Sequence, residues 1–203
     1  GVYGSTYVAL LGGTVVKDIY AAGTTGSVTD VFAAGFTATA NAYVDGGMVR
    51  NVYGGGWRGS VGYHGGLISD VANNKDDRDG EVHIVVGDLN GTSFTNGIPA
   101  IQRNVYGGGE GGGIFGTAYV TINNGRIGYR YKNNDYVEEL DDAKAGDNLL
   151  DESGNVFGGG YVANSYVDIS DVKVYGGIIR GGLYGGGEIG LIGRGTVKEG
   201  AAA

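Results

Sequence analysis

The sequence predicts an all-β fold, a parallel β-helix (β-solenoid) of about five coils with loop insertions. The phrase Asn-Val-Tyr-Gly-Gly-Gly stands at 51–56 and 104–109, and at 155–160 with Phe for Tyr. Looser copies occupy 18–23 and 182–187. Glycine makes up 45 of the 203 residues, and each glycine inside a helix costs about 1 kcal/mol relative to alanine. The composition therefore argues against helices, and the usual handedness of parallel crossovers predicts a right-handed β-helix.

Each predicted coil begins with an apolar, β-branched stretch that has the propensity and alternation of a strand. A small or polar pair followed by Tyr-Val recurs in these stretches. This second phrase sets the register by making five positions equivalent: Tyr7, Tyr43, Glu81, Tyr119 and Tyr166. Gly or Asn corners and a second short apolar pair follow before the glycine phrase begins.

The first three positions of the glycine phrase have distinct predicted roles. The first position carries residue types that tolerate a left-handed backbone, so we expect a tight left-handed bend there: Asp18, Asn51, Asn104, Asn155 and Gly182. The second position is always aliphatic and is predicted to stack in the core: Ile19, Val52, Val105, Val156 and Leu183. Strand alternation places the third position on the opposite face: Tyr20, Tyr53, Tyr106, Phe157 and Tyr184.

Length and repetition indicate a single domain over residues 1–203, expected to be part of a longer array. The net charge of −8 is concentrated in two acidic insertions, at about 70–81 and 132–154. The second holds eight acidic residues and two lysines, and the spacing of Asp135 and Glu138 before Gly146 predicts a short helix there. The remaining coils are close to neutral, and without a basic stripe we expect no nucleic-acid partner.

Motifs for catalysis and cofactors are weak in this sequence. The Gly-x-Gly-x-x-Gly spacing recurs, as at 54–59, 107–112 and 185–190, but no helix is predicted to follow these copies, so they do not predict a dinucleotide site. The acidic run before the third strand stretch is the one calcium candidate, with ligands Asp76, Asp77, Asp79 and Glu81. It does not fit an EF-hand, because Lys75 would be the first ligand, and a solvated loop is the default interpretation. We expect no cofactor and no transmembrane segment.

Two histidines, His64 and His83, fall in different coils, and no set of paired carboxylates is evident, so we expect no catalytic residues and no enzyme activity. The aromatic residues remain. Their structural interpretation is a ladder between coils. The alternative is a stacking platform for sugar rings, with these candidate ligand-binding residues: Trp57, Arg58, Tyr53, Tyr106 and Tyr184. Trp57 is singled out because no other coil has Trp at its position.

The glycine phrase, followed by a small-residue turn, a strand and Gly-Gly-x-Ile, resembles the Gly-rich repeat β-solenoid surface proteins of gut bacteria (Bacteroidetes and Firmicutes) and, more widely, β-helix adhesins. The resemblance covers the coils and not the acidic insertions. It implies an extracellular or cell-surface location and a non-enzymatic adhesin or stalk that contacts glycans or host surface proteins. One alternative is a carbohydrate-binding or polysaccharide-degrading β-helix. Another is a self-assembling filament subunit that associates end to end through unpaired strand edges.

Overall fold

The computed structural model describes residues 1–29, 37–62, 80–88, 97–138 and 153–193. These residues are all-β and contain no helix, so none of them forms a helix able to cross a membrane. The strands of the first half are β1 (Val2–Tyr3), β2 (Ser5–Leu10), β3 (Thr14–Val15), β4 (Ile19–Tyr20), β5 (Val28–Thr29), β6 (Ala38–Val44), β7 (Met48–Val49), β8 (Val52–Tyr53) and β9 (Gly80–Val86). The remainder are β10 (Ala100–Ile101), β11 (Val105–Tyr106), β12 (Ile114–Ile122), β13 (Arg126–Ile127), β14 (Tyr129–Lys132), β15 (Asp135–Glu138), β16 (Val156–Phe157), β17 (Val167–Val174), β18 (Ile178–Ile179) and β19 (Leu183–Tyr184).

Fifteen of these strands form three parallel sheets of five strands each. Sheet I contains the long strands β2, β6, β9, β12 and β17; sheet II contains β3, β7, β10, β13 and β18; sheet III contains β4, β8, β11, β16 and β19. Within each sheet the strands lie side by side in chain order. The chain therefore visits the three sheets in turn five times, and we call each visit a layer, from layer 1 (β2–β4) to layer 5 (β17–β19).

The predicted aliphatic column is confirmed in sheet III. Successive parallel pairs join Ile19 to Val52, Val52 to Val105, Val105 to Val156 and Val156 to Leu183. The three central valines are completely buried, and burying each such side chain contributes about 1.5–3 kcal/mol. Strands β6 and β9 alternate strictly between buried and half-buried residues, as the period-two pattern predicts.

The register predicted for sheet I from the Tyr-Val phrase is wrong. One observed column runs through Tyr7, Asn41, His83 and Tyr119. Tyr43 lies two residues further along its strand and pairs with Val85. A shift of two residues keeps every side chain on the same face of the sheet, so hydrophobic alternation cannot reveal the error at Tyr43. Tyr166 is also misplaced, because it precedes β17 and the residue that pairs with Tyr119 is Asp171.

The corner before sheet III also differs from the prediction. Among the described residues, the only non-glycine residues with positive φ are Asn133 and Asn134, so the asparagines of the glycine phrase are not left-handed. Their side-chain oxygens instead accept hydrogen bonds from the backbone N–H of the next layer: Asn51 from Asn104 at 3.0 Å, Asn104 from Asn155 at 2.9 Å and Asn155 from Gly182 at 2.7 Å. Asparagine is used here for a hydrogen-bond ladder that joins the layers.

The glycines that follow the aromatic position are explained by close approach of neighbouring layers. A Cβ added at Gly54 would lie 2.3 Å from the Gly107 carbonyl oxygen, and one at Gly107 would lie 2.3 Å from that of Gly158. Neither residue has positive φ. The repeated glycines therefore serve backbone packing between layers, which also accounts for the Gly-x-Gly-x-x-Gly spacing.

The short helix predicted from Asp135 is wrong over the described residues. Residues 135–138 form β15, which pairs antiparallel with β14 around Asn133 and Asn134, whose φ values are 55° and 61°. Two consecutive left-handed residues are typical of a type I′ hairpin, and asparagine tolerates this conformation. Of the first acidic insertion, Gly80 and Glu81 belong to β9, whereas residues 70–79 lie outside the described residues, as do residues 139–152 of the second.

Candidate functional site

The third position of the glycine phrase forms a continuous stack of rings, the aromatic ladder, on the face of sheet III opposite the aliphatic core. The ladder consists of Tyr20, Tyr53, Tyr106, Phe157 and Tyr184. Successive ring centroids are 5.0, 4.8, 5.1 and 5.0 Å apart, with interplanar angles of 7°, 4°, 7° and 14°. In-register parallel pairing places each ring against its equivalent in the next layer, and stacked aromatic pairs contribute about 0.5–1.5 kcal/mol each.

Burial corrects the expectation that Tyr53 and Tyr106 form a ligand platform. Their side chains are 4% and 2% exposed, and both faces of each ring contact the neighbouring rings of the ladder. Tyr184 differs, because it is 49% exposed at the layer-5 end of the ladder. The two central tyrosines are therefore structural, and of the three ladder residues predicted to bind a ligand only Tyr184 presents substantial ring surface.

The ladder is covered by side chains that follow the glycine run, and two of these are acidic. The Glu110 carboxylate accepts a hydrogen bond from the Tyr20 hydroxyl. The Glu188 carboxylate accepts one from the Tyr106 hydroxyl at 2.6 Å. Each glutamate lies two layers beyond the tyrosine that it contacts. We call Glu110 and Glu188 the acidic caps.

Two further contacts complete the surroundings of Tyr106. Its hydroxyl accepts a hydrogen bond from the Asn104 side-chain amide at 2.9 Å. The Tyr161 ring, which follows the glycine run of layer 4, lies 5.7 Å away at an angle of 58°. The Tyr106 hydroxyl thus has both a donor and an acceptor, which is how a buried polar group avoids a desolvation penalty.

The surroundings of the ladder raise the pKa values of its phenols. Burial raises the pKa of Tyr20, Tyr53 and Tyr106, since a charged phenolate would lose its hydration. The acidic caps add to this effect, Glu110 at Tyr20 and Glu188 at Tyr106, because a carboxylate repels a phenolate and accepts the phenol proton. The three phenols remain protonated in the folded state, so they are poorly suited to act as bases or nucleophiles.

Trp57 and Arg58 lie on the surface, as the ligand-binding hypothesis requires. Trp57 is 41% exposed, and the Arg58 guanidinium carbon lies 4.8 Å from its ring centroid, in a cation–π arrangement. Trp57 occupies the position in layer 2 that the acidic caps occupy in layers 3 and 5. Among the described residues its one ring contact is with Arg58.

Of the four predicted calcium ligands, one lies among the described residues. Asp76, Asp77 and Asp79 lie outside the described residues. Glu81 lies on β9, where its carboxylate is 3.1 Å from the His83 Nε2 atom. Within the described ranges no three His, Cys, Asp or Glu side chains come together as a metal site. The calcium site therefore stays a prediction.

The structure adds a groove that sequence reasoning missed. It has a volume of about 560 Å³ and lies between the β14–β15 hairpin and the start of sheet II. Its lining consists of Gly13, Thr14, Gly47, Met48, Gly97, Ile98, Asn134 and Tyr136. The sequence signal for the hairpin that forms one wall of the groove was the Asn133-Asn134 pair between aromatic residues. This pair indicates a two-residue turn between strands and not part of a helix.

Comparison with known proteins adds no relative to this description. No protein-family model matches the chain, and no curated protein or solved structure is found to be similar to it.

Proposed function

We propose that the chain is a right-handed parallel β-helix of five coils that serves as a non-enzymatic extracellular module, an adhesin or stalk, on a bacterial surface. The observation that carries this proposal is the aromatic ladder with its acidic caps. Its phenol and carboxylate groups, those of Tyr20 and Tyr106 and of the acidic caps, are hydrogen-bonded to one another across layers. They join the layers, which is the role expected of a structural rod.

The strand order supports the β-helix. Each return to sheet I passes through sheets II and III, and every neighbouring pair within these sheets is parallel. A coil wound in this way has the connectivity of a β-helix, and right-handed crossovers are strongly preferred for parallel strands. Electron density from a crystal or cryo-microscopy map would test the coil directly, and a left-handed or unwound path would contradict it.

The strongest test of the non-enzymatic assignment uses the acidic caps. Glu110 and Glu188 lie two layers apart, about 10 Å by strand spacing, which is close to the roughly 6.5–9.5 Å between the carboxyl groups of inverting glycosidases. They are therefore the pair of described carboxylates that we choose for the test. We expect no release of reducing ends from polygalacturonate, xylan or starch by the wild-type chain.

The matched variants are Glu110→Gln and Glu188→Gln, with Glu81→Gln as a control carboxylate on sheet I. Cleavage by the wild type that disappears in either cap variant but not in Glu81→Gln, with unchanged melting temperature, would overturn the proposal in favour of an enzyme. The surface location is tested separately by antibody labelling of intact cells of the source bacterium. Labelling that requires permeabilised cells would contradict it.

A second candidate is glycan binding at Trp57, and the exposure of this ring favours it. Aromatic faces stack on the apolar side of sugar rings, and Arg58 can donate hydrogen bonds to hydroxyl groups. If Trp57 is such a site, Trp57→Ala should abolish retention of a glycan identified on an array. Tyr184→Ala, which removes the other exposed ring, provides the comparison. An array without any bound glycan would contradict glycan binding at Trp57 and would leave the proposed structural role unaffected.

A further inference from the structure

The β14–β15 hairpin is anchored to the sheets at defined points. The Tyr136 hydroxyl donates a hydrogen bond to the Ile98 carbonyl oxygen at 2.6 Å. The Arg126 guanidinium lies 4.7 Å from the Tyr136 ring centroid and 5.7 Å from that of Tyr129. These contacts make the hairpin one wall of the groove beside sheet II.

The groove beside this wall has the dimensions of a ligand site. Its volume of about 560 Å³ falls within the roughly 300–1,000 Å³ typical of small-molecule sites. Thr14 and Met48, which pair in sheet II, form one side, and Asn134 and Tyr136 form the other. The Gln102 side-chain amide contacts the Met48 sulfur at 3.4 Å, which restrains the flexible thioether.

The chemistry of the lining limits the ligand. None of the eight lining side chains is Asp, Glu, Lys, Arg or His. The polar groups are a hydroxyl, an amide and a phenol, and the apolar ones are Met48, Ile98 and the Tyr136 ring. The Arg126 guanidinium lies over the Tyr136 ring and is not among the lining residues. A charged ligand would therefore lose hydration here without gaining an ionic partner among the eight described lining side chains. A neutral molecule with one apolar face and several hydroxyl groups matches both kinds of surface.

We propose that this groove binds a neutral sugar of one or two pyranose rings. The face of the Tyr136 ring opposite Arg126 packs against the apolar C–H face of the sugar, while the Asn134 amide and the Thr14 hydroxyl exchange hydrogen bonds with its hydroxyl groups. The groove is separate from the aromatic ladder, and the proposed rod needs no ligand there. This inference therefore goes beyond the proposed function and can fail without affecting it.

The experiment is ligand-observed NMR followed by titration of the full chain. The probes are the methyl glycosides of glucose, galactose, mannose and N-acetylglucosamine, together with cellobiose, maltose and lactose, with glucuronate as the charged comparison. Asn134→Gly removes the amide but keeps the left-handed backbone. Tyr136→Leu removes the ring. Tyr129→Leu is the matched control. It removes the other ring beside Arg126, and Tyr129 is not among the residues that line the groove.

We expect at least one neutral sugar to bind, and Asn134→Gly and Tyr136→Leu each to weaken it by about fivefold or more. Tyr129→Leu and Trp57→Ala should change the affinity by less than about twofold. Should Tyr136→Leu fail to fold, Asn134→Gly and Thr14→Val decide the question. Failure of every neutral sugar to bind, binding of glucuronate alone, or affinities unchanged in Asn134→Gly and Thr14→Val would each overturn the proposal.

Discussion

Replacing one glycine of the repeated phrase by alanine should have opposite effects on stability in two different layers. An alanine Cβ at Gly107 would lie 2.3 Å from the Gly158 carbonyl oxygen and 3.0 Å from the Val120 Cγ2 atom. Relief of this overlap requires a movement of about 1 Å between layers that are joined by ladder hydrogen bonds, and overpacking of this kind costs about 1–3 kcal/mol. Gly185 holds the same position in layer 5, but a Cβ there would meet nothing within 4 Å.

The two substitutions otherwise act alike. Neither residue has positive φ, so alanine should stabilise both by about 0.4–1 kcal/mol through the entropy of the unfolded chain. Because this gain offsets part of the overpacking cost, we expect Gly107→Ala to lower the free energy of unfolding by a net of about 0.5–2.5 kcal/mol. Gly185→Ala should leave it unchanged or raise it slightly. In thermal unfolding, about 2–4 °C per kcal/mol applies to a chain of this length.

The assay is equilibrium unfolding in urea, followed by circular dichroism and by tyrosine fluorescence. Coincident transitions from the two probes would justify a two-state treatment. The close-approach explanation is refuted if Gly107→Ala unfolds within about 0.5 kcal/mol of the wild type, or if Gly185→Ala is as destabilising as Gly107→Ala. In either case the repeated glycines would have to be explained by something other than contact between layers.

Three further predictions concern the ladder. Tyr106→Phe removes a hydroxyl with two partners and should lower the free energy of unfolding by about 1–2 kcal/mol; if Glu188→Gln costs the same with Phe at position 106 as with Tyr, the cap contact contributes nothing. Folding raises the pKa of Tyr53 and Tyr106, so their contribution to the free energy of unfolding is fully present below about pH 10 and should fall above it by about 1.4 kcal/mol per pH unit for each tyrosine. Equal urea midpoints at about pH 9 and pH 11 would contradict this. Asn104→Ala removes the acceptor of the half-buried Asn155 N–H and the donor to the Tyr106 hydroxyl, so it should lower the melting temperature by several degrees; an unchanged melting temperature in calorimetry would contradict this.

The sequence predicted sheet III well because each position of the glycine phrase allows few residue types. Val52 and Val105 are flanked by the same neighbours, so their equivalence and their inward orientation follow directly. Sheet I was different. Tyr7 and Tyr43 share a phrase but differ in register by two residues, and both registers bury the same face. Only backbone pairing distinguishes them.

The candidate site was less predictable, since its contacts join residues that no single coil contains. Alternation placed Tyr106 opposite the core, but it could not show that Glu188 covers it from two layers away. The asparagine corner was misinterpreted for a related reason. Asn51 tolerates a left-handed backbone and also accepts hydrogen bonds well, and the residue type alone does not decide between these two uses.

The acidic caps have a consequence for how a stacked array of this kind resists unfolding. In solenoids each repeat contacts only its immediate neighbours, so stability is a sum of local terms and the array can open at any weak interface. Here the Tyr20–Glu110 and Tyr106–Glu188 hydrogen bonds each pass over an intervening layer. Separation of layer 1 from layer 2, or of layer 3 from layer 4, must therefore also break a contact with the layer beyond. Coupling between next-nearest layers makes local opening more cooperative, a property that would suit the proposed stalk under tension.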